Sequence, residues 1–232
     1  MMRSIGILLA VLLIGTSAIA QTKPRSQAPA AKSAIPKAVP VKDPIDRGAV
    51  SGRTYTDHSL GFEVTFPNEW LIPGDDFEDE MKKAGFDLSL KAPTTVGPQT
   101  RTRIDRALKK VDVLLTAYRS MPGSADNAIA RISVEDLSSN PQIKDAVDYF
   151  DAMRMQFKAM TLPADFKYSE TQAEQLGRKQ FGFIDSSSKA GKKRLYATVR
   201  GRYAILFTLS YTSDDDLHTM RKVLSEGNFA IK

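Results

Sequence analysis

The sequence predicts an α+β protein in which an antiparallel β-sheet is covered by helices on both faces. Three observations lead there. Residues 194–211, RLYATVRGRYAILFTLSY, read as two strands joined at Arg200-Gly201-Arg202. In the second strand Tyr203, Ile205, Phe207, Leu209 and Tyr211 share one face, while Ala204, Leu206 and Thr208 make the other mostly apolar too. A strand apolar on both faces belongs inside a sheet that is covered on both sides. Two amphipathic helical patterns, over 140–160 and from Ser213 onward, supply covering elements.

Taken in order, the chain is expected to open on an export signal over residues 1–20. Arg3 provides the positive charge, residues 5–14 form an apolar run too short to span a bilayer, and Ala18-Ile19-Ala20 is a small-residue cleavage site. Residues 21–49 are rich in Ala, Pro and Lys and are expected to form a disordered, extended linker, reaching at most roughly 85 Å at about 3.1 Å per residue. The globular part is expected over 50–232, as a single domain.

In that part Phe62, Val64 and Phe66 alternate with Gly61, Glu63 and Thr65, which predicts a half-buried strand ended by Pro67. Trp70, the one tryptophan, is expected to close over a sheet end. Residues 75–84 are acidic at the front and basic at the back, which suits a short helix stopped by Gly85. Residues 86–90 read as a short strand and 92–100 as a loop. Residues 101–110 read as a basic helical turn carrying Ile104 and Leu108. Strands over 111–118 and 128–137 are expected to pair as an antiparallel hairpin across the turn at 121–127.

The helix over 140–160 is expected to start with Asn140 as its cap and Pro141 in its first position. Ile143, Val147, Phe150, Met153 (or Arg154), Phe157 and Met160 recur at helical spacing and are expected to form its core stripe. Strands follow at 174–176 and 180–186, with a polar turn at 186–193 before the doubly apolar hairpin. Ser213 caps the last helix, whose first turn is Asp214-Asp215-Asp216. Leu217, Met220 and Leu224 form its apolar stripe, Gly227 stops it, and Phe229 is expected to tuck back.

Charge and composition limit the chemistry. The net charge is +6, but residues 1–49 carry seven Lys/Arg and two Asp, which leaves 26 basic and 25 acidic residues in 50–232. A near-neutral domain lacks the electrostatic footprint of a nucleic-acid binder. With no cysteine, thiol nucleophiles, thiolate metal sites and disulfides are excluded. Neither G-x-S-x-G nor a glycine-rich phosphate loop occurs. The two histidines, His58 and His218, have no H-x-H or H-x-x-x-H partner, and neighbouring residues Asp57 and His58 point to opposite faces of an extended segment. Asp75, Asp76, Glu78, Asp79 and Glu80 do not follow calcium-loop spacing. Arg101, Arg103, Arg106, Lys109 and Lys110 form the densest basic cluster and are the candidate partner-facing residues. They lack the interleaved aromatics of single-strand nucleic-acid platforms. No catalytic, cofactor-binding or metal-ligating residue is assigned.

The motif Gly61-Phe62-Glu63-Val64-Thr65-Phe66-Pro67 leading to Trp70, then Val113-Leu114-Leu115, Ile132-Ser133-Val134, Gly177-Arg178-Lys179 before Phe181, and Phe229 near the end resemble the PsbP-like (Mog-type) superfamily over roughly 53–231. The resemblance implies an α/β/α sandwich and non-enzymatic work in assembly or binding, with no catalytic residue to carry over. The resulting expectation is an exported, non-catalytic binding or assembly module acting in the periplasm or outside the cell, with another envelope protein as partner and no cofactor. It would keep no membrane span after cleavage. The alternative is a periplasmic small-molecule or metal-binding protein with its site near His58.

Overall fold

The computed structural model describes residues 47–231 except positions 75, 95, 125 and 190. The expected export signal and residues 21–46 of the expected linker lie outside the described residues. The first strand, β1 (Ala49–Ser51), begins one residue ahead of the expected start of the globular part. It pairs with β2 (Thr54–Asp57), which pairs with β3 (Phe62–Thr65), making a three-stranded antiparallel sheet.

After β3 come α1 (Phe77–Lys83), α2 (Pro98–Leu108), β4 (Val111–Tyr118), β5 (Ile129–Asp136) and α3 (Ala146–Lys158). Next are β6 (Lys167–Tyr168), β7 (Gln172–Leu176), β8 (Lys179–Ser188), β9 (Gly191–Arg200), β10 (Tyr203–Tyr211) and α4 (Asp214–Glu226). The main sheet has the order β4-β5-β10-β9-β8-β6, with β7 also pairing with β8, and all its pairs are antiparallel. Strand β10 lies between β5 and β9, the interior position its two apolar faces demand. The β9–β10 hairpin turns on Gly201, whose φ of 58° is a left-handed conformation that glycine takes without strain.

Two apolar cores sit on the two faces of this sheet. Ile205, Phe207 and Leu209 join Ile132, Val134 and Phe181 beneath β2, β3, Trp70 and the Met220, Val223 and Leu224 side of α4. On the other face Ala204 and Leu206 join Ile184, Leu195 and Ala197 against Ile104 of α2 and Tyr149, Phe150, Met153 and Phe157 of α3. Helices therefore cover both faces, and the small sheet shares the first face with α4. Phe229 returns to the first core. Its ring lies 6.1 Å from Phe62, nearly parallel, and 5.1 Å from Phe181, edge-on. Backbone hydrogen bonds between Asn228 and Glu63, 2.7 and 2.9 Å, fix that return.

Four local expectations need correction. Residues 86–90 are not a strand: the Asp87 carboxylate accepts from the Ser89 N–H at 3.0 Å and curls the chain. The α3 cap is Asp145, whose Oδ1 accepts from the N–H groups of Val147 (2.8 Å) and Asp148 (2.9 Å). Asn140 instead closes a turn, its carbonyl accepting from Ile143 N–H at 3.1 Å. Residues 186–193 are not an open turn, because β8 and β9 stay paired out to Ser188 opposite Gly191. On the other side of β9, Lys192 lays its ammonium 5.9 Å from the ring of Tyr211, its partner on β10. Finally, the basic turn at 101–110 belongs to a longer helix, since Pro98 starts α2.

Candidate functional site

The sheet treats its two edges differently. Beyond β8 lie β6 and β7, both short, and β7 is polar and largely exposed, a pattern that discourages further pairing. At the opposite edge β4 is eight residues long and largely apolar, VDVLLTAY. It pairs with β5 on one side only. On its outer side Leu71 and Tyr118 exchange backbone hydrogen bonds of 2.7 and 2.9 Å. Pro73 follows and has no N–H to continue such a ladder, and the chain leaves the edge.

A cleft of about 940 Å³ opens where the chain leaves. Its wall is the β4 edge from Val111 to Thr116, and Phe77, Leu88, Leu90 and Leu108 provide apolar seats. Tyr118 also lines it, its ring 5.6 Å from that of Phe77. Burial raises the Tyr118 phenol above its usual pKa, so it stays neutral.

Backbone geometry tells which groups of β4 face the cleft. Tyr118 gives both its N–H and its C=O to Leu71, away from β5. Alternation along an antiparallel strand turns the backbone groups of Ala117 toward β5 and those of Thr116 outward again. Among the described residues no protein group pairs with the outward N–H and C=O of Thr116.

The floor carries Arg131 of β5, directly opposite Thr116 in the ladder. Its Nε donates to Thr116 Oγ1 at 3.3 Å, so the guanidinium reaches across β4 toward the open edge. Among the described residues no carboxylate forms an ion pair with it. Burial lowers its pKa from the ordinary arginine value, and the Glu78 carboxylate works against that fall. On the same sheet face, buried Lys193 is pulled down to about 7, first by burial and then by the charge of Arg131. The buried hydroxyls of Ser133 and Thr208 lie on this face too and have no hydrogen-bond partner among the described residues. Thr208 stands opposite Arg131 on β10. Arg131, Lys193 and these two hydroxyls thus share one face of the sheet with the buried carboxylate of Glu135, and Glu78, Asp105 and Asp112 also line the cleft.

A second polar cluster ties structure together. Arg194 grips Asp185 through Nε and Nη2 at 2.7 and 2.6 Å, with its guanidinium 4.3 Å from the Phe183 ring. Burial opposes the Arg194 charge, but the bonds to Asp185 and Tyr196 outweigh it and raise its pKa. Tyr196 donates to Glu174 at 2.9 Å, and Arg221 of α4 pairs with the same carboxylate. Burial pushes the Tyr196 phenol up to about 12. This network joins β7, β8, β9 and α4 and leaves its charges paired.

The expected candidates separate in space. Arg101, Arg103, Arg106 and Lys109 are exposed on and just after α2, and Lys110 is half-buried. Arg101 Nη2 donates to Thr94 O at 2.8 Å and Arg103 Nη1 to Ala159 O at 3.3 Å. Only Lys109 of this group lines the cleft, beside Asp105. His58 and His218 are exposed. Asp57 is buried and serves its own turn: Oδ1 accepts from Ser59 Oγ at 2.7 Å and Leu60 N–H at 2.8 Å. The pair Asp57–His58 therefore does not converge on one ligand. Among the described residues no cluster of three or more metal-ligating side chains occurs.

Arg131 escapes sequence reading because its cue is small. One cation breaks an otherwise apolar and small-residue strand, IARISV, and nothing local says which neighbour flanks it.

No protein-family description matches the chain, and no curated protein matches it. Among solved structures it is similar to the solution structure of cyanobacterial PsbP (CyanoP) from Synechocystis sp. PCC 6803. There the identity is 15%, the TM-score 0.42, and the match covers 78% of this chain and 97% of that one. A crystal structure from Bacteroides thetaiotaomicron VPI-5482 is similar at 11% identity and TM-score 0.37, covering 79% of this chain and 50% of that one. Likenesses this distant carry no statement about function.

Proposed function

We propose that this protein is an exported, non-catalytic binding or assembly module of the cell envelope, and that another envelope protein docks along the β4 edge. The observation that supports this reading is a long apolar strand edge left open beside a cleft, in a sheet whose faces are otherwise covered. Such an edge is a ready template for another chain. Among the described residues the cleft lining includes neither histidine nor cysteine. Arg101, Arg103, Arg106, Lys109 and Lys110 lie on and after the helix flanking the cleft and are proposed to face the same partner. Export through the leader at 1–20 and reach through the segment at 21–49 complete the reading. Among the described residues no helix is long and apolar enough to cross a membrane.

Site-specific photo-crosslinking in the native host tests it. A photoreactive residue replacing Val113 is expected to give one defined adduct with an envelope protein, and one replacing Gln172 on β7 none. No adduct from Val113, or substrate turnover by the purified protein, overturns the reading.

A further inference from the structure

We propose that the cleft takes an extended segment of the partner as an added strand on β4, with an aspartate or glutamate of that segment seated on Arg131. The inference rests on the docking reading above and specifies its chemistry. The outward backbone groups of Thr116 border the cleft without a protein partner among the described residues, so an incoming strand finds main-chain hydrogen bonds waiting. The edge from Val111 to Thr116 is six residues, roughly 17–20 Å, the length of an ordinary strand, with a register shift between Val113 and Leu115 that leaves Thr116 on the regular stretch toward Tyr118.

Side-chain choice follows from the pleat. A residue that pairs with Thr116 lies about 4.8 Å away and projects its side chain from the same face. That is the face on which Arg131 reaches over Thr116. A carboxylate there meets a guanidinium that has no carboxylate partner among the described residues, and a charge-assisted, forked pair forms. Phe77, Leu88, Leu90 and Leu108 line the same cleft and favour apolar residues at alternate positions of the segment. A basic residue opposite Thr116 would set two cations together in a half-buried site, which selects against it. The rim acids Glu78 and Asp105 are exposed; Glu78 acts on Arg131 through its charge, but neither acid forms an ion pair with it among the described residues.

The test pans a random eight-residue peptide display library against the full chain. Amide exchange and affinity are then measured for one selected peptide. The expected peptide carries one acidic residue among β-branched or aliphatic ones and slows exchange at Thr116. It loses at least tenfold in affinity when that acid becomes its amide or when Arg131→Gln is introduced. N-methylation of the peptide amide facing Thr116 is expected to abolish binding, while N-methylation one residue along is tolerated. Arg131→Lys, which keeps the charge but not the fork, is expected to restore part of the affinity, and unchanged circular dichroism identifies folded variants. Peptides that bind without slowing Thr116 exchange, or that bind Arg131→Gln equally well, overturn strand addition. Protection at Thr116 that rises with protein concentration alone identifies a second copy of this chain as occupant and also overturns it. The Val113 adduct is read separately. If it forms while the peptide results fail, docking stands and strand addition falls; if it is absent, the docking reading itself fails.

Discussion

Replacing Phe207 by alanine is expected to lower stability by about 3–5 kcal/mol, the usual cost of removing a fully buried phenylalanine. Phe207 sits on the central strand with no exposure. Its ring meets Phe62 at 5.5 Å, Phe229 at 5.9 Å and Phe181 at 6.0 Å, all edge-on. Those three come from the small sheet, the carboxyl-terminal return and β8, so one deletion weakens three junctions. The cavity cannot collapse easily, because a ladder on each side holds the β10 backbone. Urea unfolding checks this: the midpoint falls while the slope stays constant. Typical domains have only about 5–15 kcal/mol in total, so the variant is marginal at growth temperature. A loss below about 1 kcal/mol would mean that the ring is not packed in this core.

The second large effect is expected on the opposite face. A methyl group added at Gly182 of β8 would stand 2.8 Å from Cβ of Ala146 and 3.2 Å from its carbonyl carbon and oxygen. Ala146 begins α3 and cannot swing aside as a long side chain would. Gly182→Ala therefore has to lift the start of α3 from the sheet, at an overpacking cost of about 1–3 kcal/mol. Ala146→Gly alone costs about 1 kcal/mol or less through helix propensity. The double variant is expected to be more stable than Gly182→Ala alone, since removing one methyl makes room for the other. Strict additivity in thermal or urea unfolding would contradict this contact between α3 and β8.

Much of the fold is legible in local sequence. The doubly apolar run at 203–211 reports its own central position, since burial on both faces leaves no polar alternation. The hairpin at 111–118 and 129–136 follows from its turn, and Ser213 with the acids after it marks the start of α4. In the structure the Ser213 hydroxyl accepts from Asp216 N–H at 3.3 Å, and the Asp216 carboxylate forms an ion pair with Arg119, Nε to Oδ1 2.7 Å. Where two local signals compete, reading fails. Asn140-Pro141 offers a good cap, but Asp145 lies one turn nearer the buried stripe and takes the N–H groups. Asp87 spoils a short strand because its carboxylate satisfies the backbone locally.

The candidate site is far less legible. Whether β4 is an edge depends on strand order across 100 residues of chain, and no periodicity within 111–118 encodes that. The role of Pro73 is visible only once Leu71 is known to pair with Tyr118. Arg131 gains meaning only when its neighbour Thr116 turns out to border open space. The basic cluster at 101–110, conspicuous as composition, contributes one rim residue, Lys109, to the cleft.

The claim that this sheet, covered on both faces, leaves one usable edge at β4 is tested most directly by residue-resolved amide exchange on the free protein. Ala117, which faces β5, is expected to exchange as slowly as Leu206 and Phe207, while Thr116 beside it exchanges orders of magnitude faster. Equal, slow exchange at Thr116 and Ala117 would mean that the edge is already covered, and no partner strand could add to it.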